Sequence, residues 1–578
     1  MNANDAAAHD RRDAGRDGDD APSGGALSTA APERRRDLLA SLAVDLRSAR
    51  FAVASLDALW GAEAAAALHR GQRVPARRVL EAKRLEHAAS AELATLAELF
   101  VLGLAVDRDD LGRALPALGV DGAIELGLVG ADAVADDPVG ELGRARGIRP
   151  LLDLRPYAFV DAHGAGEWWI LSDLGELALG HALGEHHVLG VGGASMTLSG
   201  LMMPDAAGSV LDLGTGCGIQ AMHASRFADR VVATDISARA LEIAAMNVEL
   251  NGIEGVEFRL GSLFDPVAGE RFDRVVSNPP FVITPRREGV PEYDYRDGGM
   301  VGDGIVEAVI TGVGEHLEPG GIAQLLGNWE YRGRGDAFDR VGEWLARSAP
   351  GGGALDHWVV ERDVQHVTEY AETWIRDGGT RSGEDFDRLY DAWLDDFAAR
   401  GVREVGFGYV LLRRPVDDAG EQTMTDASGA AREASARLAR LERLHGPLGS
   451  DGATLGSHLS ECLAAHDRQA ALDDADLARS RLAVAPDVTE ERHHWPGDEN
   501  PTAMLLRQGG GFGRAITLDT GLAALVGACD GELEVGQIIA AIAHLLEVDA
   551  VALAAELLPA VRTLVDDGIL RFAEGPGE

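Results

Sequence analysis

Residues 212–218 read Asp-Leu-Gly-Thr-Gly-Cys-Gly, and they directly follow the short run Ser-Val-Leu at residues 209–211. A short apolar run that ends in glycines is typical of a strand that turns into a helix. Glycine lets the backbone approach a ligand closely. The spacing is G-x-G-x-G, which differs from the G-x-G-x-x-G of dinucleotide-binding folds. The stretch therefore predicts an α/β fold with a small-molecule site after its first strand.

Strands and helices alternate around this turn, over residues 191–415, which is typical of a parallel sheet covered by helices on both faces. Further strands are predicted at residues 230–235, 256–259, 272–277 and 322–326, and residues 407–412 are predicted to form a final antiparallel edge. The second strand ends in Asp235, and a carboxylate there can accept both hydroxyls of a ribose. We therefore predict a Rossmann-like, seven-stranded α/β sheet that binds a nucleoside.

The fourth predicted strand is followed by Asn278-Pro279-Pro280-Phe281, at the edge of the sheet where open α/β folds bind ligands. The prolines fix the backbone and lack N–H groups, and the carbonyl of Pro279 and the amide oxygen of Asn278 are two acceptors. Two acceptors satisfy both donors of a planar –NH₂ group, and Phe281 offers a face for stacking. With a nucleoside cofactor nearby, the motif indicates methyl transfer from S-adenosylmethionine to a planar nitrogen, driven by positioning.

The glycine run, Asp235 and the Asn-Pro-Pro-Phe motif together resemble class I S-adenosylmethionine-dependent methyltransferases. The resemblance is to their small-domain group, which includes the HemK/PrmC glutamine methyltransferases and several rRNA and tRNA base methyltransferases. It covers about residues 186–415, and the continuation Val282-Ile283-Thr284-Pro285 is most similar to the HemK type. It implies S-adenosyl-L-methionine as the cofactor. Ser262 departs from the family pattern, which often has an acid or amide beside the adenine at this position.

The candidate site residues follow from these motifs. The catalytic set is predicted to be Asn278, Pro279, Pro280 and Phe281. The cofactor-binding set is predicted to be Asp212, Gly214, Thr215, Gly216, Gly218, Asp235, Ile236, Ser262, Leu263 and Asn278. No metal site is expected, because His186-His187 and His493-His494 lack a third ligand at useful spacing.

The flanks of the predicted catalytic domain divide into further units. We expect a disordered tail over residues 1–32 and a helical, winged-helix-like recognition domain over residues 33–190. Residues 416–430 are expected to be a linker. Residues 431–578 are expected to form a helical, winged-helix-like C-terminal domain that begins with a helical stretch at residues 431–444. Its last unit, residues 517–572, is predicted to contain three helices and a final strand.

The composition narrows the class of protein. The chain has 53 basic and 94 acidic residues among 578, a net charge of −41, which disfavours non-specific binding of nucleic acid. Three widely spaced cysteines exclude a disulfide scaffold and fit a reducing cytosol. Without an apolar run of about 18 residues or a secretory signal, we expect a cytoplasmic protein with no membrane partner.

Several functions remain open at this stage. The acidic surface favours a protein glutamine as the methyl acceptor, and the winged-helix-like flanks would suit an exocyclic base amine of rRNA, tRNA or DNA. A non-catalytic regulator built on the same fold is disfavoured by the intact Asn-Pro-Pro-Phe motif. A nicotinamide-dependent dehydrogenase is disfavoured by the glycine spacing.

Overall fold

The structure is a computed structural model. It describes residues 28–573 except residues 29, 87–90, 131–146, 180–182, 185, 287–289, 291–297, 349–353, 381, 417–436, 451 and 453. Almost all of the predicted tail and of the predicted linker therefore lies outside the described residues. The domain boundaries predicted from the sequence stay a prediction.

The N-terminal part is helical first and then forms strands, in the order expected from the sequence. Leu38, Leu39, Leu42 and Leu46 recur on one side of the first helix, where all four are buried. The helices are Pro32–Ser48, Val53–His69, Val74–Glu86, Ala91–Leu96, Arg108–Ala114, Gly119–Glu125 and Glu176–Leu179, with a π-helical turn at Ala97–Val101. The strands are β1 (Val129–Gly130), β2 (Arg149–Pro150), β3 (Leu152–Asp161) and β4 (Gly164–Asp173). The winged-helix likeness stays a prediction.

The hairpin of β3 and β4 packs against the central domain through two asparagines on helix Ala238–Leu250 and its cap. Asn247 accepts the N–H of Leu171 at 2.7 Å and donates to the carbonyls of Leu171 and Cys217, both at 2.9 Å. Asn251 makes a similar pair of bonds with the backbone of Trp169. Asn247 is fully buried, so these bonds attach the N-terminal part firmly to the helix beside the glycine-rich loop.

The central sheet has eight strands in the order β12-β10-β11-β9-β8-β5-β6-β7. Strands β5 to β9 are parallel to one another, and β11 is antiparallel to both of its neighbours. Their bounds are β5 (Ala207–Leu213), β6 (Ala228–Asp235), β7 (Val256–Leu260), β8 (Phe272–Ser277), β9 (Leu317–Arg332), β10 (Asp356–His366), β11 (Val402–Arg413) and β12 (Ala439–Arg443). The predicted Rossmann-like α/β class is confirmed.

Two details of the sheet differ from the prediction. Strand β11 is antiparallel as expected, but it lies between β9 and β10 and is not an edge. The predicted helical stretch at residues 431–444 is wrong where it is described, because residues 439–443 form β12. This strand pairs in parallel with β10 and adds an eighth strand to the predicted seven. Pairing with an exposed sheet edge outweighed the weak helical pattern.

Helices cover both faces of the sheet, as parallel strands require. They are Gly193–Leu201, Ile219–Ala224, Ala238–Leu250, Gly304–Val313, Ala337–Arg347, Val367–Asp377 and Glu384–Arg400, with 3₁₀ turns at Asp265–Val267 and Gly314–His316. Helix Gly304–Val313 buries Val306, Val309 and Ile310 against Leu211 and Val275 of the sheet, among other residues. The apolar faces of the helices therefore pack on the sheet and hold β5, β6 and β8 in place, so that the carboxyl ends of these strands lie together.

The C-terminal part follows β12, and its last unit contains the three helices and the final strand that were predicted for residues 517–572. Its helices are Leu455–Ala470, Asp474–Arg479, Thr520–Gly527, Val535–Leu546 and Ala550–Asp566. Its strands are β13 (Arg481–Val484), β14 (Val488–His493), β15 (Ala503–Gln508), β16 (Ala515–Leu518), β17 (Asp530–Glu534) and β18 (Leu570–Phe572). Arg413 of β11 forms ion pairs with Asp467 of the first of these helices and with Asp356 of β10. The C-terminal part is therefore anchored to the central sheet.

Within the described residues, no single helix has the length and apolar character needed to cross a membrane. The helix pair Pro32–Ser48 and Val53–His69, bent by 50°, passes that test by length and composition alone.

Candidate active site

A cavity of about 430 Å³ opens at the carboxyl ends of β5, β6, β7 and β8. Its size lies in the range of about 300–1,000 Å³ that small-molecule sites have. The loops after these four strands line it, together with residues 186–195 and helix Val367–Asp377. The predicted site residues that line it are Gly214, Thr215, Gly216, Asp235, Ile236, Ser262, Leu263, Asn278, Pro279, Pro280 and Phe281. Both motifs found in the sequence therefore meet in one cavity.

The glycine-rich loop forms one wall with its bare backbone. Gly214 and Gly216 have φ angles of 75° and 55°, which L-residues rarely adopt. A Cβ atom on either glycine would have no neighbour within 4 Å, so the space next to the loop is open. The backbone N–H groups of Gly214 and Thr215 both bond the carbonyl of Thr234 at 2.9 Å, which fixes the loop against β6. A ligand can therefore lie directly on this backbone.

Two predicted cofactor residues, Asp212 and Gly218, are not among the residues that line the cavity. Asp212 is fully buried, and it accepts the hydroxyl of Thr215 at 2.5 Å and the N–H of Ala221 at 2.9 Å. Burial raises the pKa of this carboxyl to about 7, against the lowering effect of these bonds. A Cβ on Gly218 would lie 2.9 Å from the Cβ of Ala244. Both residues hold the loop in place from outside the cavity.

The carboxylate of Asp235 faces the glycine loop across the end of β6. Its Oδ2 accepts the N–H of Gly216 and its Oδ1 accepts the N–H of Ser237, each at 2.9 Å. Each carboxylate oxygen has a second lone pair that can accept a ribose hydroxyl. Ile236 beside it is 57% exposed and lines the cavity, so it offers an apolar surface to a flat base. Ser262 and Leu263 close this end of the cavity.

The Asn-Pro-Pro-Phe motif begins where β8 ends. The hydroxyl of Ser277 donates to the carbonyl of Leu213 at 2.8 Å, which joins the ends of β8 and β5. The next residue, Asn278, lines the cavity, and its Oδ1 is buried with no hydrogen-bond partner among the described residues. A buried acceptor without a partner costs free energy unless a ligand satisfies it. Asn278 is therefore suited to accept a hydrogen bond from a bound –NH₂ group.

Two residues that the sequence analysis missed lie around the motif. Asn328, fully buried near the end of β9, donates its amide to the carbonyl of Phe281 at 2.5 Å. Trp374, on helix Val367–Asp377, lines the cavity beside the loop after β8, with its ring centroid 6.4 Å from that of Phe281. Asn328 could have been found as a polar residue in a strongly apolar strand. No local pattern marks Trp374.

The histidine pair His186-His187 also lines the cavity, in the segment that leads from the N-terminal part to the sheet. Burial lowers the pKa of His187, so its ring is predominantly neutral near neutral pH. Within the described part of the chain, no group of three or more His, Cys, Asp or Glu side chains is arranged to hold a metal ion. The pair is therefore best described as part of the cavity wall.

The cavity residues fit S-adenosylmethionine on structural grounds. The open space beside Gly214 and Gly216 accommodates a ligand in contact with the backbone, and Asp235 offers the carboxylate that a ribose needs. Ile236 and Leu263 offer apolar contacts for an adenine, and Asn278 lines the same cavity with an oxygen that has no partner among the described residues. These residues would hold the cofactor so that its methyl group is close to the Asn-Pro-Pro-Phe motif.

Comparisons with known proteins agree with this description. Residues 191–333 match the family described as "Methyltransferase small domain". Residues 48–139 and 463–572 match two domains of unknown function, DUF7059 and DUF7782. Residues 191–333 thus form a class I methyltransferase domain of the small-domain group, and S-adenosyl-L-methionine is its cofactor.

Three relatives of known name are similar to the methyltransferase domain. A release factor glutamine methyltransferase of Xylella fastidiosa is 37% identical over 129 residues, which cover 21% of this chain and 47% of the relative. A ribosomal protein uL3 glutamine methyltransferase of Bradyrhizobium diazoefficiens is 38% identical, covering 20% and 40%. A ribosomal RNA small subunit methyltransferase C of Escherichia coli is 32% identical, covering 23% and 35%. The chain spans less than half the length of each relative. The methyltransferase domain is HemK/PrmC-like, as the motifs predicted.

Proposed function

We propose that this protein transfers a methyl group from S-adenosylmethionine to the amide nitrogen of a protein glutamine. The observation that carries the proposal is the buried Oδ1 of Asn278, which lines the cofactor cavity without a partner among the described residues. This oxygen and the carbonyl of Pro279 accept the two N–H groups of the amide. The lone pair of the nitrogen is then directed away from them, towards the methyl donor.

The reaction needs positioning more than acid–base catalysis. When bound, S-adenosylmethionine would supply an electrophilic methyl group on its sulfonium, and the sulfur would leave as a neutral thioether when the nitrogen takes the methyl group. The two acceptors hold the nitrogen while it loses conjugation, and Phe281 restricts the plane of the amide. The methylated nitrogen then releases one proton to solvent. Asn278 and Pro279 therefore contribute orientation, and no described side chain has to act as a strong base.

A protein substrate is favoured over nucleic acid by the charges around the cavity. Among the described lining residues, the carboxylates are Asp235 and Asp377, and none is an arginine or a lysine. A base presented by RNA or DNA brings phosphates with it, and phosphates are held by basic side chains. Two of the three relatives described above are glutamine methyltransferases by name. An exocyclic base amine remains the second candidate, because the third relative acts on ribosomal RNA by name.

The test is transfer of radiolabelled methyl from S-adenosylmethionine to a lysate of a strain that lacks this gene. Samples are treated with protease or with nuclease after the reaction. Loss of label only to protease is expected, followed by N-methylglutamine in a hydrolysate of the labelled protein under conditions that preserve the side-chain amide. Loss of label only to nuclease would establish the base amine in its place.

The assay compares the variant Asn278→Ala with the matched control Asn500→Ala. Asn500 is exposed in the C-terminal part and does not line the cavity. Asn278→Ala should abolish most of the labelling, and Asn500→Ala should leave it unchanged.

A further inference from the structure

Two helices connect a pair of strands that a short turn could join. Strands β10 and β11 are antiparallel neighbours in the sheet, and such a pair can be joined by a turn of two to five residues. Here they are joined by helices Val367–Asp377 and Glu384–Arg400, which we call the helical insertion (residues 367–400). The sheet itself does not require these residues, so another role must account for their position.

The helical insertion packs on the segment that follows the Asn-Pro-Pro-Phe motif. The fully buried Tyr370 accepts the backbone N–H of Ile283 on its hydroxyl at 2.9 Å. Its ring also stacks on Phe407 of β11, with centroids 5.7 Å apart. The shared core contains Val282, Ile283, Tyr370, Ala371, Ile375, Phe386, Trp393, Phe397, Val402 and Val405. The insertion is therefore firmly attached directly beside the motif.

The first helix of the insertion presents two side chains to the cavity. Trp374 and Asp377 both line it, one helical turn apart, together with Asn278 and Phe281. The rings of Trp374 and Phe281 meet at an interplanar angle of 81°, with centroids 6.4 Å apart. Two aromatic rings at nearly a right angle form a corner that can contact a planar group on its face and its edge.

We propose that Trp374 is a substrate-binding residue, and that the helical insertion is the wall of the site that selects the methyl acceptor. This inference rests on the proposed function. Trp374 contacts the planar acceptor amide and the side chain that carries it, whereas the cofactor is held by the glycine-rich loop and Asp235. The insertion thereby separates acceptor recognition from cofactor binding.

The charge of the insertion indicates the class of acceptor. Residues 367–400 contain nine acidic residues and four basic ones, and Asp377 is exposed at the cavity. An acidic wall repels the phosphates of a nucleic acid and attracts basic side chains. The wall therefore fits a polypeptide segment with lysine or arginine near the target glutamine.

The experiment compares Trp374→Ala, Trp374→Phe and the control Trp495→Ala in the labelling assay. The tryptophan of the control is 68% exposed and lies outside the cavity. The initial rate of labelling is measured against the concentration of the unmethylated protein fraction that accepts the label, at saturating cofactor. The Kd of S-adenosylmethionine is measured by calorimetry.

We expect Trp374→Ala to raise the KM for the acceptor about tenfold or more, since an aromatic contact is worth about 0.5–1.5 kcal/mol beyond its buried area. The Kd of the cofactor should change less than about threefold, which shows that the domain is folded. Trp374→Phe should recover a large part of the loss, and Trp495→Ala should behave as the wild type.

Two results would overturn the proposal in distinguishable ways. An active wild type with an unchanged KM in Trp374→Ala would refute the role of Trp374 and leave the proposed function standing. A wild type that transfers no label to protein would refute the proposed function and this inference with it.

Discussion

The carboxylate of Asp235 accepts the backbone N–H of Gly216 at 2.9 Å, and this bond joins the end of β6 to the glycine-rich loop after β5. Both residues line the cavity. The bond therefore presents the carboxylate to the ligand in a fixed orientation. Asp235 therefore shapes the loop, and we propose that the same carboxylate accepts the ribose hydroxyls of the cofactor.

Asp235→Ala should weaken binding of S-adenosylmethionine about 10- to 100-fold, because hydrogen bonds to a charged group are worth about 1.5–3 kcal/mol. Calorimetric titration measures this Kd directly. Asp229→Ala, an exposed aspartate at the opposite end of the same strand, is the matched control. An unchanged Kd in Asp235→Ala would rule out the ribose contact.

Asn278→Ala should separate catalysis from cofactor binding. The rate of methyl transfer should fall at least about 100-fold, the size of effect seen when one positioned hydrogen-bonding group is removed from an active site. The Kd of S-adenosylmethionine should change little, because the glycine loop and Asp235 are intact. Equal losses in rate and cofactor affinity would show instead that Asn278 is needed to fold the cavity.

The sequence predicted the parts of the site that lie at the carboxyl ends of the strands. Asp235 is the last residue of β6 and Asn278 directly follows β8, and the carboxyl ends of parallel strands meet at one edge of the sheet. A local pattern is therefore sufficient to place them together. Trp374 is different, because its helix is placed at the cavity by tertiary packing, which includes the bond of Tyr370 to the backbone of Ile283.

Strand β10 is not among the strands that were placed from the sequence, and its charged residues give the physical reason. Its three apolar residues are followed by Glu361, Arg362 and Asp363, which are residue types that are rarely buried. In the structure Glu361 is fully buried, and its carboxylate accepts Trp329 Nε1 at 2.7 Å and the Tyr331 hydroxyl at 2.6 Å. These partners come from β9, far along the chain, so no local pattern could have revealed that a charge is satisfied inside the sheet.

Acid should loosen the contact between the N-terminal hairpin and the central domain through His223. This histidine bonds the Tyr157 hydroxyl through Nε2 at 3.1 Å and packs on Phe159 and Trp168. Burial lowers its pKa from 6.5 to about 4, with a raising effect of Asp161 and a lowering effect of the nearby Arg226. The neutral form therefore stabilises the folded state fully above pH 6.5, and this contribution is lost as the pH falls towards 4.

Between pH 7 and pH 5 this one group should cost about 2 kcal/mol of unfolding free energy. Urea unfolding of His223→Gln should therefore show a smaller difference between the two pH values than the wild type. His163→Gln, at the exposed turn of the same hairpin, is the matched control. The same pH difference in all three proteins would contradict the assignment.

Asn328→Leu should lower the rate of methyl transfer without weakening cofactor binding. The substitution removes the amide that donates to the carbonyl of Phe281, which fixes the backbone of the motif, so the motif can shift when this bond is lost. Gln324→Leu is the control, because Gln324 is equally buried on β9 but bonds the backbone of Leu201 and Met203. Both variants should be destabilised. Only Asn328→Leu should lose activity at a temperature where both are folded.

Tyr370→Phe tests whether the helical insertion positions the catalytic motif. The substitution keeps the ring and its stacking on Phe407, and it removes the hydroxyl that accepts the N–H of Ile283. A buried N–H without a partner favours a shifted backbone, and a misplacement that costs about 1.4 kcal/mol in the transition state lowers kcat about tenfold. The Kd of S-adenosylmethionine should be unchanged. Tyr390→Phe, whose hydroxyl bonds Glu372 outside the cavity, should keep full activity. A wild-type kcat in Tyr370→Phe would mean that packing alone holds the motif in place.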